Sequence, residues 1–180
     1  MNGAKMANAV IILGAGLGTR MNSDLPKVLH PIAGAPMLVH AMQAAMVLDP
    51  LRCVVVAGYE AAQVQKAALA HDPDVTVVVQ AEQLGTGHAV AQAQAALADF
   101  VGDALVLYGD TPFIRPDTLE AMIEARQTHD IVVLGFEAEE PARYGRLILK
   151  GGQLDRIVEY KDATDDERAV TLCNSGVIAA

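Results

Sequence analysis

No junction in the chain leaves fewer options than the one between Ala9-Val-Ile-Ile-Leu13 and Gly14-Ala-Gly16-Leu-Gly18-Thr-Arg20. The first five residues are apolar and mostly β-branched, the pattern of a fully buried strand. Three alternating glycines follow, and a backbone without Cβ atoms can turn sharply and bring its N–H groups close to a ligand. A run of such groups forms an anion-binding concavity. Arg20 offers a planar fork suited to phosphate and Lys27 a mobile point charge, with Pro26 stiffening the backbone before it. Strand, glycine loop and two cations together suggest a polyphosphate site. Two familiar phosphate loops are excluded. The dinucleotide fingerprint needs glycine where Thr19 stands and an acid about 20 residues on, where Pro31 to Val39 carries none. A P-loop counted from Gly14 needs Gly-Lys-Ser/Thr at 19–21, and the chain reads Thr-Arg-Met. The competing reading is a glycine-rich βα turn that binds nothing.

The rest of the chain repeats the strand–helix alternation. Strands are expected at 53–57, 75–80, 104–108 and 131–136, and helices at 37–48, 60–71, 85–98 and 116–128. This order predicts an α/β fold: a doubly wound, mostly parallel sheet, in which ligands gather at the carboxyl ends of strands. The glycine loop, Gln80 and Asp110 all fall at such ends. After Glu137 the pattern changes to a small β-hairpin insertion around Lys150-Gly151-Gly152, a charged turn or short helix at 162–168 and a last strand at 174–179. Residues 1–180 read as one domain, with residues 1–6 a flexible tail. The stop at Ala179-Ala180, directly after an apolar strand, reads as a C-terminally incomplete chain.

Composition narrows the partners. With 180 residues and 52% hydrophobic content, the chain can bury a sizeable core. A net charge of −9 and 4% aromatic residues oppose nucleic-acid binding. An acidic protein that takes an acidic nucleotide needs a local basic pocket and a divalent metal. Cys53 and Cys173 read as free buried thiols in a reducing, cytoplasmic compartment. No membrane association is expected: Met1 to Met6 lacks a signal core, and the apolar 37–48 helix contains His40 and Gln43 and is too short to span.

Two further stretches carry chemistry. In Gln80-Ala-Glu-Gln-Leu-Gly-Thr-Gly-His88, the glycines expose donors at a helix start, and Gln80 has both donor and acceptor for a nucleobase edge. An ordinary strand-to-helix connection with a Thr cap is the alternative; His88 reads as a helix-packing residue. Leu107-Tyr108-Gly109-Asp110 closes a strand above the phosphate pocket, where Asp110 suits Mg²⁺, which takes one or two carboxylates plus substrate phosphates. An Asp in an ordinary turn is equally compatible with position alone.

The run Leu13 to Met21 with Pro26-Lys27 resembles the signature loop of the sugar-nucleotide pyrophosphorylases. The run at 80–89 resembles the bacterial bifunctional N-acetylglucosamine-1-phosphate uridyltransferase/glucosamine-1-phosphate acetyltransferase family, and the motifs follow in that family's order from Ala9 to the chain's end. The resemblance implies a Rossmann-like nucleotidyltransferase fold. It assigns Leu13, Gly14, Ala15, Gly16, Gly18, Thr19, Gln80, Gly85 and Thr86 to the nucleotide, with the Gln and the Gly-Thr pair on uracil. Tyr108, Gly109, Gly145, Glu159 and Asn174 go to the sugar phosphate. Arg20, Lys27 and Asp110 are the catalytic residues, Asp110 being the Mg²⁺ ligand. Departures from the family pattern are Gly14 for Ala, Leu17 for a cation, Tyr160 for His and Ser175 for Thr.

The implied substrates are UTP and N-acetylglucosamine-1-phosphate, and the products UDP-N-acetylglucosamine and pyrophosphate. Full-length members carry a second metal ligand downstream and trimerise through a C-terminal left-handed β-helix that also holds the acetyltransferase; neither lies within these 180 residues. The alternatives are another sugar-nucleotide or molybdopterin nucleotidyltransferase, which the Gln83 to His88 run opposes, and a catalytically incomplete nucleotide-binding module.

Overall fold

The computed structural model describes residues 7–16, 23 and 25–180. Gly18, Thr19 and Arg20, expected at the nucleotide and in catalysis, and the expected 1–6 tail lie outside the described residues. The structure is built outward from β1 (Asn8–Gly14), every residue of which is buried. A small antiparallel ribbon, β2 (Pro31–Ile32) and β3 (Ala35–Pro36), leads into α1 (Met37–Ala45). Then come β4 (Arg52–Ala57), α2 (Ala61–His71), β5 (Thr76–Val79), α3 (Thr86–Ala91), β6 (Asp103–Tyr108), α4 (Pro116–Arg126) and β7 (Val132–Glu137). The hairpin β8 (Arg146–Lys150) and β9 (Gln153–Val158), the short α5 (Asp165–Arg168) and β10 (Leu172–Ala179) complete it.

Alternation along β1 explains the layers. Val10 and Ile12 point into one core with Leu38, Met42, Val64, Leu107 and Leu119, the side covered by α1, α2 and α4. Ile11 and Leu13 point into the other with Val54, Val56, Ala89 and Ala93, the side covered by α3 and the turn after it. A strand buried on both faces has no polar alternation to show, as a central parallel strand requires. The main sheet runs β5-β4-β1-β6-β10-β8-β9, with β7 on the other side of β10. β5, β4, β1 and β6 are mutually parallel, and β10 is antiparallel to β6, β7 and β8. β7 and β8 therefore point the same way as β6, and the expected doubly wound, mostly parallel sheet holds.

Two details go beyond the sequence reading or correct it. The strand order, which the alternation of elements leaves open, has β10 between β6 and β7, Ile178 standing opposite Val106 on one side and Val133 on the other. The expected helix 85–98 stops at Ala91, and the chain continues in tight turns to a 3₁₀ segment, Ala95–Leu97. At the break the His88 carbonyl accepts from the Gln92 side chain at 3.0 Å, while the Gln92 N–H turns back to Ala89 at 3.1 Å. A side chain has taken the acceptor that an α-helix reserves for the backbone.

Both cysteines are free, Cys173 buried and Cys53 partly so. Burial, helped by the Asp72 carboxylate, pushes the Cys53 thiol up to about 11. Below pH 9 it is protonated in folded and unfolded chains alike, and its contribution to stability is lost as pH rises from about 9 towards 11. At pH 8, alkylation of Cys53 in the native protein is expected to run about 100-fold slower than in urea, read by peptide mapping. Equal rates would contradict this packing. Among the described residues, no helix is long and apolar enough to cross a membrane.

Candidate active site

A cavity of about 310 Å³ opens over the carboxyl ends of β1, β5 and β6. Leu13, Ala15 and Gly16 enter it from the end of β1, and Lys27 from the 3₁₀ turn that follows Pro26. Val28 and Leu29 are buried and pin that turn to the core, so Lys27 is held at the rim by its neighbours. Gln80, Gly85 and Thr86 form one wall, and Tyr108 and Asp110 another. Gly14, expected at the nucleotide, is not among the residues that line the cavity, and a Cβ there would sit 3.4 Å from the Val56 carbonyl and against Val28 and Val64. Gly109 also lies outside the lining, its N–H donating to the Leu13 carbonyl at 2.9 Å across β1 and β6.

Lys27 Nζ lies 2.6 Å from Asp110 Oδ2. The aspartate is set by the turn from Tyr108 to Thr111, whose hydroxyl and N–H both bond to the Tyr108 carbonyl. The pair is partly exposed, so its own worth to stability is small. Its significance is placement: a carboxylate that could hold a divalent cation and an ammonium that could meet phosphate are in contact within one cavity. Among the described residues no cluster of three or more potential metal-ligating side chains is present. One carboxylate at a cavity rim suits a cation that completes its shell with substrate phosphate and water.

On the opposite wall, Gly85 caps α3 at φ 100°, a conformation that L side chains rarely adopt. Gln80, just past β5, is 5% exposed. Its Nε2 lies 3.2 Å from the Gly85 carbonyl and 3.0 Å from His88 Nδ1. Gln83 crosses to the glycine loop, its Nε2 donating to the Ala15 carbonyl at 2.9 Å. From sequence, Gln83 has no assigned role and His88 only that of a helix-packing residue. Their partners lie 68 and 8 residues away, separations at which no local periodicity speaks.

Gly145, Glu159 and Asn174 do not line this cavity, but they converge with one another. The Asn174 N–H donates to the Gly145 carbonyl at 2.8 Å, and a Cβ on Gly145 would lie 3.4 Å from Glu159 Oε1. Arg146 explains why the loop stands there. It is almost fully buried, and its guanidinium donates to the carbonyls of Pro141, Ala142, Tyr144 and Arg168. The α5 end of this network is closed by a capping box between Thr164 and Glu167. The Thr164 N–H and then Arg156 hold the Glu167 carboxyl below its usual range. This cluster reaches the cavity through Gly176, where an added Cβ would run into the ring of Tyr108; the Tyr108 hydroxyl in turn donates to Thr86 Oγ1 at 3.4 Å.

A doubly wound sheet with a glycine turn, a cation–carboxylate pair and an amide at neighbouring strand ends defines an α/β protein of the nucleotidyltransferase class. The family model described as MobA-like NTP transferase domain matches residues 10–171. The chain belongs to that family.

The sequence is 66% identical over 174 residues to "Bifunctional protein GlmU" of Roseobacter denitrificans, covering 97% of this chain and 39% of the relative. It is 67% identical over 172 residues to the protein of the same name from Cereibacter sphaeroides, covering 96% and 38%. The chain thus spans well under half the length of these curated relatives. Among solved structures, UDP-glucose pyrophosphorylase complexed with UDP-glucose matches with a TM-score of 0.79 at 21% identity, over 97% of this chain and 76% of that one. HddC from Yersinia pseudotuberculosis complexed with GMP-PN matches at 0.72 and 25%, over 95% and 75%.

Proposed function

We propose that this domain transfers UMP from UTP to N-acetylglucosamine-1-phosphate, releasing pyrophosphate. The observation that carries the reading is the single cavity holding Ala15 and Gly16, the Lys27–Asp110 pair and the Gln80–Gly85–Thr86 wall, in a chain so similar to proteins named GlmU. A phosphate oxygen of the sugar phosphate attacks the α-phosphorus of UTP; a P–O bond forms, and the bond to the departing pyrophosphate breaks. The nucleophile is already an anion, so the site needs no general base. Its work is positioning and charge neutralisation.

In this reading, Gln80, Gly85 and Thr86 take the uracil, while Ala15, Gly16 and, outside the described residues, Gly18, Thr19 and Arg20 take the phosphates. Lys27 stabilises the charge that develops as pyrophosphate leaves. Gly145, Glu159 and Asn174 receive the sugar, with Tyr108 between the two sets. Asp110 would hold Mg²⁺, which when bound neutralises charge on the polyphosphate. The free thiols fit the expected cytoplasmic compartment.

The test is pyrophosphate release from each nucleoside triphosphate with N-acetylglucosamine-1-phosphate and Mg²⁺. UTP-selective release supports the reading, and release with a different triphosphate overturns the substrate assignment. No release, with UTP still raising the melting temperature, supports a nucleotide-binding module instead. In the same assay, Asp110→Asn is expected to cut turnover by about 100-fold and to weaken the Mg²⁺ dependence; unchanged turnover would remove Asp110 from the metal site.

A further inference from the structure

Gln80 is nine-tenths or more buried, yet its amide is fully directed. The atom 3.2 Å from the Gly85 carbonyl must be the nitrogen, since a carbonyl oxygen only accepts. The second amide hydrogen then faces His88 Nδ1 at 3.0 Å, and that ring nitrogen must accept it. The proton of the neutral imidazole accordingly sits on Nε2. Gln92 Nε2, 3.2 Å from His88 Nε2, competes for the ring. But Gln92 is only half-buried and already donates to the His88 carbonyl at 3.0 Å, with solvent in reach. Gln80 has no such outlet, and an unmade bond costs most where water cannot enter. Burial therefore assigns the imidazole acceptor to Gln80.

Both amide hydrogens of Gln80 are thus engaged, and Oε1 is the polar atom it has left in the cavity it lines. That atom only accepts. A base read by it must present an N–H, as the N3–H of uracil does; the N3 of cytosine is a bare acceptor and would meet Oε1 lone pair to lone pair. We propose that His88 is a positioning residue for base selection: its Nδ1, together with the Gly85 carbonyl, holds both amide hydrogens of Gln80 and keeps Oε1 outward, so that the site takes a uracil-type ring N–H and rejects a cytosine-type ring nitrogen. The proposal rests on the uridylyl-transfer reading of this cavity and adds to it the source of its base preference.

The experiment compares binding of UTP and CTP, with Mg²⁺, by calorimetry on the wild-type chain, His88→Leu and His88→Asn. Leucine keeps the bulk and removes one of the two acceptors that fix the amide, which leaves the Gly85 carbonyl as its single restraint and the second N–H without a partner, able to turn towards a cytosine ring nitrogen. Asparagine can put its Oδ1 where Nδ1 stands and restore the lock. The UTP-over-CTP preference is expected to fall about tenfold in His88→Leu, the worth of one hydrogen bond, and to stay within about threefold of wild type in His88→Asn. A residue that only packed α3 would change melting temperature without changing the ratio. Should His88→Leu not fold, His88→Ala serves as the acceptor-free variant with the same expected loss. The proposal is overturned by an unchanged ratio in the acceptor-free variant, or by an equal loss in His88→Asn. A wild-type chain that binds CTP as well as UTP overturns the base-site reading itself, a different result from either.

Discussion

Lys27→Ala is expected to lower pyrophosphate release from UTP by about 10²- to 10³-fold while leaving the melting temperature within a few degrees of wild type. The asymmetry follows from the local structure. Val28 and Leu29 are buried and hold the turn, so deleting the neighbouring ammonium removes no core contact. The ion pair it loses is partly exposed, 41% for Lys27 and 27% for Asp110, and pairs in that setting contribute little to stability. In the transition state of the proposed transfer, charge moves onto the departing pyrophosphate, and a cation at the cavity rim would act there with its full effect. The variant also frees Asp110 from a 2.6 Å partner, so Mg²⁺ affinity measured by titration should not fall. Turnover equal to wild type would remove Lys27 from the chemistry. A large drop in melting temperature would show that its role is structural.

Gly176→Ala is expected to cost about 3 kcal/mol of stability, or roughly 10 °C in melting temperature. Gly176 has φ 85°, and an added Cβ would lie 2.1 Å from Cε2 of Tyr108. It sits where the β10 register slips between Asn174 and Ile178. Asn174 Oδ1 accepts from the Gly176 N–H at 2.9 Å, and Ser175 Oγ accepts from Val177 while donating to the Leu134 carbonyl at 2.7 Å. These side chains hold the bulge in place, so the strand cannot slide to relieve the clash, and Tyr108 must move. Weaker UTP binding is therefore expected alongside the lower melting temperature. A calorimetric scan unchanged from wild type would show that the bulge is softer than its hydrogen bonds indicate.

What could be read from the sequence was what depends on neighbours in sequence. The apolar run at 9–13, the turn at Asp72 to Asp74 and Pro116 at the start of α4 each declare their element locally, and the strand ends then bring Ala15, Lys27, Gln80 and Asp110 together. Position in the sheet was legible only where strands follow one another directly. The insertion of β10 depends on pairing Ile178 with Val106, a contact that no local pattern encodes. The break in α3 turned on a Gln92 side chain that propensity scores as helix-forming. Arg146 opens the hairpin with no local signal of burial, yet it is a buried clasp on four carbonyls. The convergence of Gly145, Glu159 and Asn174 followed from resemblance, since their spacing alone would suit any hairpin.

The placement of β10 also orders events in time. Its partners β6, β7 and β8 all leave the ribosome before it, and until it arrives the β8–β9 hairpin and β7 have no strand linking them to the first half of the sheet. The β1, β4, β5 and β6 half, with its own helices, can form as a unit, whereas the second half must wait for residues 172–179. At roughly 5–20 residues per second, that leaves β7 exposed for several seconds during synthesis. An apolar strand with an unpaired edge is prone to aggregation, and β10 is the segment that ends that exposure.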